Sequence, residues 1–251
     1  MTAVLLALAV SAPSDFVDAR IELRCETGEA FLSQGLLEEA ESEFREALRL
    51  EPSCPAAVLG LGRIYRAREA WEQAETCLRQ YTDSFPSDPA GLFELAGLLM
   101  DMDRAGEALD FASRAAESAS TDGSAWLLAG RAGLASDDTT GAVRSLGRAL
   151  ELGGAPALEA SVIMSGIALA SDDTDLAFEL LGWGVGEGHA PSCFRLGKLY
   201  VSWGDLVRGS ALLRQSILIS PSGPCSDSAR ILLDELAGAG FFEGPVVDPE
   251  N

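Results

Sequence analysis

The sequence predicts an all-α protein, a solenoid of antiparallel helix pairs with a capping helix at each end. Three observations carry that prediction. Gly28, Phe31, Ala40, Phe44 and Pro52 recur 34 residues later as Gly62, Tyr65, Ala74, Leu78 and Pro86, and a fixed period of that length marks stacked supersecondary units. The alanine phase continues at the same step through Ala108 and Ala142. Aromatic residues make up only 7% of a chain that is 47% apolar, a balance that suits close-packed helices better than a β-rich core.

The elements follow in order. Residues 1–20 open with an apolar run, Ala3 to Val10, followed by Ser11 and Ala12. Two readings stand: a capping helix over the first repeat, which we prefer, and a signal peptide, which lacks its positive n-region. Ser14 and Asp15 suit the start of a long helix running to about Ser33. Gly35 allows the chain to turn, and a second helix runs from Leu37 to Leu50, stopped by Pro52. Its Glu38, Glu39, Glu41, Glu43 and Glu46 read as a solvated outer face.

Residues 21–54 are the first repeat, and 55–88 the second and best preserved, with Gly62 and Ala74 placed where the paired helices cross. Residues 89–122 and 123–156 are the third and fourth, the latter with Asp122 or Ser124 as a cap. The fifth, 157–189, is irregular. LASDDT at 134–139 returns at 169–174, a shift of 35, and the next alanine-equivalent, Gly209, lies only 32 beyond Ala177. The sixth, 190–223, restores Leu196, Gly197, Tyr200, Leu213 and Pro221. A last helix from Ser226 to about Ala237 caps the array (224–238), and 239–251 form a Gly- and Pro-rich tail expected to be flexible.

Composition narrows the function. The formal net charge is -21, and the cations are 17 Arg and one Lys; such a surface repels phosphate backbones, so no nucleic acid is expected as partner. The charge is uneven, with nine acidic and three basic residues in 21–54 but one acidic and four basic in 190–223. Five cysteines show no CxxC pairing and no metal-ligand spacing, which reads as buried thiols in a reducing compartment. A cytoplasmic location is expected, or export if residues 1–12 act as a signal. No apolar run reaches the ~18 residues of a membrane span.

The pattern W-x2-L-G-x2-Y, A-x3-F, P over 34 residues is that of the tetratricopeptide repeat, and residues 21–223 resemble that family. Leu61, Gly62, Tyr65, Ala74, Leu78 and Pro86 carry the match, with Leu196, Gly197, Tyr200, Leu213 and Pro221. The chain departs from the pattern at Thr27, Ala96, Gly209, Ser120 and Gly154. The resemblance implies a right-handed superhelix whose first (A) helices line a concave groove for a partner's peptide or helix. Carrying over the inward positions gives Glu22, Cys25, Glu29 and Leu32 in the first repeat and Leu59, Arg63 and Arg66 in the second. Phe93, Gly97 and Met100 follow in the third, Leu127, Arg131 and Leu134 in the fourth, and Phe194, Lys198 and Val201 in the sixth, with Arg195 adjacent.

The expected ligand is therefore a segment of another protein carrying apolar side chains and carboxylates. Leu59, Phe93, Leu127 and Phe194 would anchor it, and Arg63, Arg66, Arg131, Arg195 and Lys198 would orient its acidic groups. The alternative for Arg63, Arg66 and Arg131 is pairing with acidic residues of adjacent helices. The Lys and Asn clamp with which some family members hold a C-terminal carboxylate is missing: Cys25, Glu29, Gly60, Ala90 and Glu94 stand at its places. No enzyme is expected. The one histidine, His189, shares a stretch with Cys193 but lacks an orienting third group. The SDDT loops lack the ligand spacing of a calcium site, and GWGVGEG is no phosphate fingerprint, so no metal or cofactor is expected. A scaffold holding a peptide is the leading function. The rival is a subunit of a larger assembly joined through its ends or outer faces, with weak self-association.

Overall fold

The computed structural model describes residues 13–239, and among them lie thirteen α-helices. The expected N-terminal cap or signal segment and the expected tail beyond 239 fall outside the described residues. The helices are α1 (Pro13–Ser33), α2 (Leu37–Leu50), α3 (Pro55–Ala67), α4 (Trp71–Ser84), α5 (Pro89–Asp101), α6 (Ala105–Ser118), α7 (Gly123–Ala135), α8 (Thr139–Leu152), α9 (Gly154–Ala170), α10 (Thr174–Gly186), α11 (Ala190–Ser202), α12 (Leu206–Ile219) and α13 (Pro224–Gly238). The odd-numbered helices α1 to α11 are the A helices and their even-numbered partners the B helices. The chain divides into two compact bodies: residues up to Thr121 with Arg131–Thr139, and Asp122–Gly130 with the chain from Thr140 onward.

The A-to-B turn repeats as faithfully as the apolar pattern. A left-handed residue closes each A helix: Gly35, Glu69, Asp103, Asp137, Asp172 and Gly204. Their steps of 34, 34, 34, 35 and 32 match those of the alanine phase, including its irregularities. The next residue donates its N–H to the carbonyl five back, as in Leu36 to Phe31, Ala70 to Tyr65, Arg104 to Leu99 and Asp173 to Ala168, at 2.8–3.0 Å. That bond is the Schellman closure, which satisfies carbonyls the helix end leaves open. The twin SDDT loops are two of these turns: Asp137 and Asp172 take the left-handed conformation, and Asp173 caps α10 by accepting from Leu176 N at 3.1 Å.

Pro55, Pro89, Pro191 and Pro224 start A-type helices near their first turn, where a missing N–H costs nothing. The Asp122 carboxylate accepts from Ser124 N at 2.8 Å at the start of α7. Two helices overrun the expected repeat boundaries. α1 is continuous from Pro13, ahead of the Ser14 cap, and crosses residue 20. α9 begins at Gly154 and has 17 residues, against 13 in α7. Gly153 and Gly154 both have positive φ, at the junction where the first, second and sixth repeats place Pro52, Pro86 and Pro221, so the turn shrinks and the following helix gains a turn.

Within each body, an A helix packs on its own B helix, that B helix on the next A helix, and neighbouring A helices on each other: α1 on α3, α3 on α5, α9 on α11 and α11 on α13. Small residues allow the approach. A methyl added to Gly28 would stand 2.8 Å from the Phe44 ring, one on Gly62 2.6 Å from Leu78, and one on Gly130 2.6 Å from Leu146, all inside van der Waals contact. The third repeat keeps the volume balanced another way: Ala96 replaces the glycine and Ala112 stands in register with Leu78. Ala40, Ala74, Ala108, Ala142 and Ala177 are fully buried. In the sixth repeat a methyl on Gly209 would lie 3.0 Å from the Gly197 carbonyl, so glycine is needed there for a closer helix approach.

Candidate functional site

In the first body, the lining of α1, α3 and α5 is an ion-pair ladder. Arg63 Nη1 meets Glu29 Oε1 at 3.1 Å and its Nε meets Glu94 Oε1 at 2.7 Å. Arg66 Nη1 reaches Glu94 Oε2 at 3.2 Å and its Nε reaches Asp101 Oδ2 at 2.6 Å. Two arginines and three carboxylates thus alternate over one face. The geometry realises pairing with adjacent helices for both arginines, which leaves their donors facing acids of this chain rather than a ligand. Phe93 and Met100, on α5 with Glu94 and Asp101, are half-buried.

The expected anchors Leu59 and Leu127 are only 7% and 8% exposed and serve the core. Arg131 is exposed. The outer stripe of α2 needs one correction: Glu41 is buried, because Arg45 and Arg68 close on its carboxylate.

The second body has a cleft of about 460 Å³ between α9 and α11, floored by Leu181 of α10. Phe194, Arg195 and Lys198 line it together with Ser165, Leu169 and Leu199. Three of the expected site residues therefore share one concave, mainly apolar surface. Phe194 also packs on the core of Leu213, Ile217, Ala229 and Leu233, so its ring is held by its underside. Arg195 Nη1 lies 3.5 Å from the Val162 carbonyl. Among the described residues, neither Arg195 nor Lys198 has a carboxylate within ion-pair distance. Ser165 and Leu169 were missed by the carry-over, although the 35-residue return of LASDDT places them on the register of Gly130 and Leu134.

A third concavity, about 670 Å³, lies at the first repeat. It is lined by Asp18, Glu22, Glu26 and Glu29 of α1, Glu51, and the thiols Cys25 and Cys54. The two sulfurs are 3.5 Å apart. His189 does not pair with Cys193. Its Nδ1 lies 2.9 Å from the Ser192 hydroxyl, while both Ser192 and Cys193 are fully buried. Burial lowers the His189 pKa, against a smaller opposing pull from Glu159, and burial raises that of Cys193. Neutral forms are favoured at both groups. A buried serine and a buried thiol offer no approach for a substrate.

These features define an all-α protein of stacked helical hairpins. The tetratricopeptide repeat model matches residues 25–89 and 65–125, so that stretch carries the family's repeats. PilF of Pseudomonas aeruginosa superposes with a TM-score of 0.73 at 17% identity, over 87% of this chain and 99% of that one. PilW, a widely conserved type IV pilus biogenesis factor, gives 0.68 at 17% identity, over 83% and 97%. A tetratricopeptide repeat protein from Parabacteroides merdae gives 0.65 at 17% identity, over 89% and 90%. At such identities the likeness is one of fold. No curated protein matches the sequence significantly. Tetratricopeptide repeat proteins are in general protein–protein interaction scaffolds, and among the described residues no helix is long and apolar enough to cross a membrane.

Proposed function

We infer that this chain is a non-catalytic scaffold that holds an apolar, acidic segment of another protein in the cleft between α9 and α11. The observation that carries this reading is the contrast between two sets of cations. Arg63 and Arg66 are already paired with Glu29, Glu94 and Asp101, whereas Arg195 and Lys198 border an apolar cleft without such partners. A partner's aromatic or aliphatic side chain would fill the space between Phe194 and Leu169, and its carboxylates would meet the two cations. Apolar anchors supply affinity, and charge-assisted donors supply register. The ladder of the first body then holds the A helices in position, with Phe93 and Met100 extending the apolar surface beside it.

The test is a capture experiment from the native host, with wild type beside a variant carrying Arg195→Glu and Lys198→Glu. Both positions are exposed, so circular dichroism is expected to show equal helicity. A partner held by wild type and lost by the variant is the expected result, followed by mapping of its acidic segment. Partners held equally by both would remove the cleft from the function. A second reading, assembly through an outer face, is favoured by one observation: Val207 and Leu218 of α12 are 76% and 70% exposed.

A further inference from the structure

We propose that Cys25 and Cys54 form a disulfide-closing pair that is oxidised by cationic disulfides and staples α1 to the start of α3. Cys25 projects from α1, and Cys54 is the residue that leads into α3, after the Glu51–Ser53 turn. Their sulfurs stand 3.5 Å apart and need to close to about 2.0 Å to bond. A turn residue opposite a helical one can accommodate that movement through rotamer and turn adjustment. Among the described residues no other two cysteines are paired.

Both thiols are sheltered, 8% and 4% exposed, yet both line the 670 Å³ cleft, which gives an oxidant its approach. The cleft also selects the oxidant. Its other titratable groups are carboxylates: Asp18, Glu22, Glu26 and Glu29 from α1 and Glu51 from the end of α2. Their field draws in a cationic disulfide and repels an anionic one.

The chemistry balances as two thiol–disulfide exchanges. The first protein thiolate attacks one sulfur of the small disulfide and expels a thiolate. The second protein thiolate then attacks the resulting mixed disulfide and expels the other. Two protein thiols lose two protons and two electrons, one S–S bond forms in the protein, and the oxidant leaves as two thiols. Burial first, then Cys54 itself, Glu29 and Glu51, push the Cys25 thiol up to about 12. Thiolate is therefore scarce at neutral pH, and the rate should rise about tenfold per pH unit where Cys25 is the attacking group. The pair stays reduced under reducing conditions and closes when a disulfide of the right charge is abundant. Closure would pin α1 to the start of α3 and suppress its local opening.

The experiment treats the reduced full-length protein at pH 8 with cystamine, a dication, and in parallel with oxidised glutathione, an anion. Alkylation and peptide mapping then identify the products. The expected result is a linked Cys25–Cys54 peptide with Cys193 free. It should form at least ~10-fold faster with cystamine at low ionic strength, with the ratio collapsing in salt. Cys25→Ser and Cys54→Ser should each trap the mixed disulfide on the remaining thiol. Should either variant fold poorly, hydrogen exchange of wild type gives a second readout. Oxidation should slow exchange in residues 13–33 on the order of 100-fold, reversed by dithiothreitol. A link involving other cysteines, mixed disulfides that never resolve in wild type, or no link after prolonged cystamine treatment would overturn the proposal.

Discussion

Six A helices close on a left-handed residue, and Glu69, Asp103, Asp137 and Asp172 take that conformation without being glycine. An L-residue there costs about 1–2 kcal/mol, part of which glycine returns as unfolded-state entropy. Glu69→Gly is therefore expected to stabilise the protein by about 0.5–1 kcal/mol, read as a higher urea midpoint at unchanged slope; a lower midpoint would contradict the account. The crossing of α3 and α4 is a second single-residue test. Gly62→Ala presses a methyl onto Leu78 and should cost ~1–3 kcal/mol, and Leu78→Ala should cost ~2–5 kcal/mol by leaving a cavity. The double variant reproduces the Ala96 and Ala112 combination of the third repeat. It should cost clearly less than the sum, and strict additivity in a double-mutant cycle would show that the two side chains do not share that space.

Between elements, charge adds to volume in the contacts. α4 and α6 are clamped by Glu75 and Arg79 from one side and Arg104 and Glu107 from the other, with Arg104 Nη1 at 2.8 Å from Glu75 and its Nε at 2.8 Å from Glu107. Burial works to raise the Glu75 pKa, but hydrogen bonds from Arg79 and Arg104 outweigh it and hold the carboxyl below its ordinary value. The hydrogen bond from Arg104 lowers Glu107. A carboxyl whose folded pKa is depressed stabilises fully above the unfolded value of about 4.3 and loses that contribution as pH falls through the folded value. Acid should thus loosen α4 and α6, seen as pepsin cleavage near residues 85–104 below that range. Arg104→Gln should flatten the acid dependence, and an unchanged pH profile would sink the assignment. The period foretold these helices and their small-residue crossings, because it fixes which residues share a face. It could not foretell that Arg63 meets residues 34 before and 31 after it. Such pairings depend on the rotation from one repeat to the next, which no letter encodes. The cleft wall at Ser165 and Leu169 was hidden for a related reason, since the fifth repeat breaks the register by one.

For the molecule as a whole, the formal charge of -21 opposes any contact between two copies at low ionic strength. The uneven charge along the chain, acidic in 21–54 and basic in 190–223, would favour attraction between unlike ends of two copies, a contact that salt would weaken. The exposed side chains of α12 point to a different balance. Val207 and Leu218 lie eleven residues apart, three helical turns, so they stand on one stripe of α12, and both are exposed. An apolar contact there is held off by net repulsion, and screening that repulsion leaves the apolar attraction in place. If copies associate through this face, light scattering should rise from low salt to roughly 0.5 M, where the Debye length falls to about 4 Å. Val207→Glu with Leu218→Glu should abolish the rise without altering helicity, because neither side chain is part of the buried core. Scattering that falls with salt in wild type would restore the charge-driven contact. A salt-induced rise that persists in the double variant would move the interface to another surface.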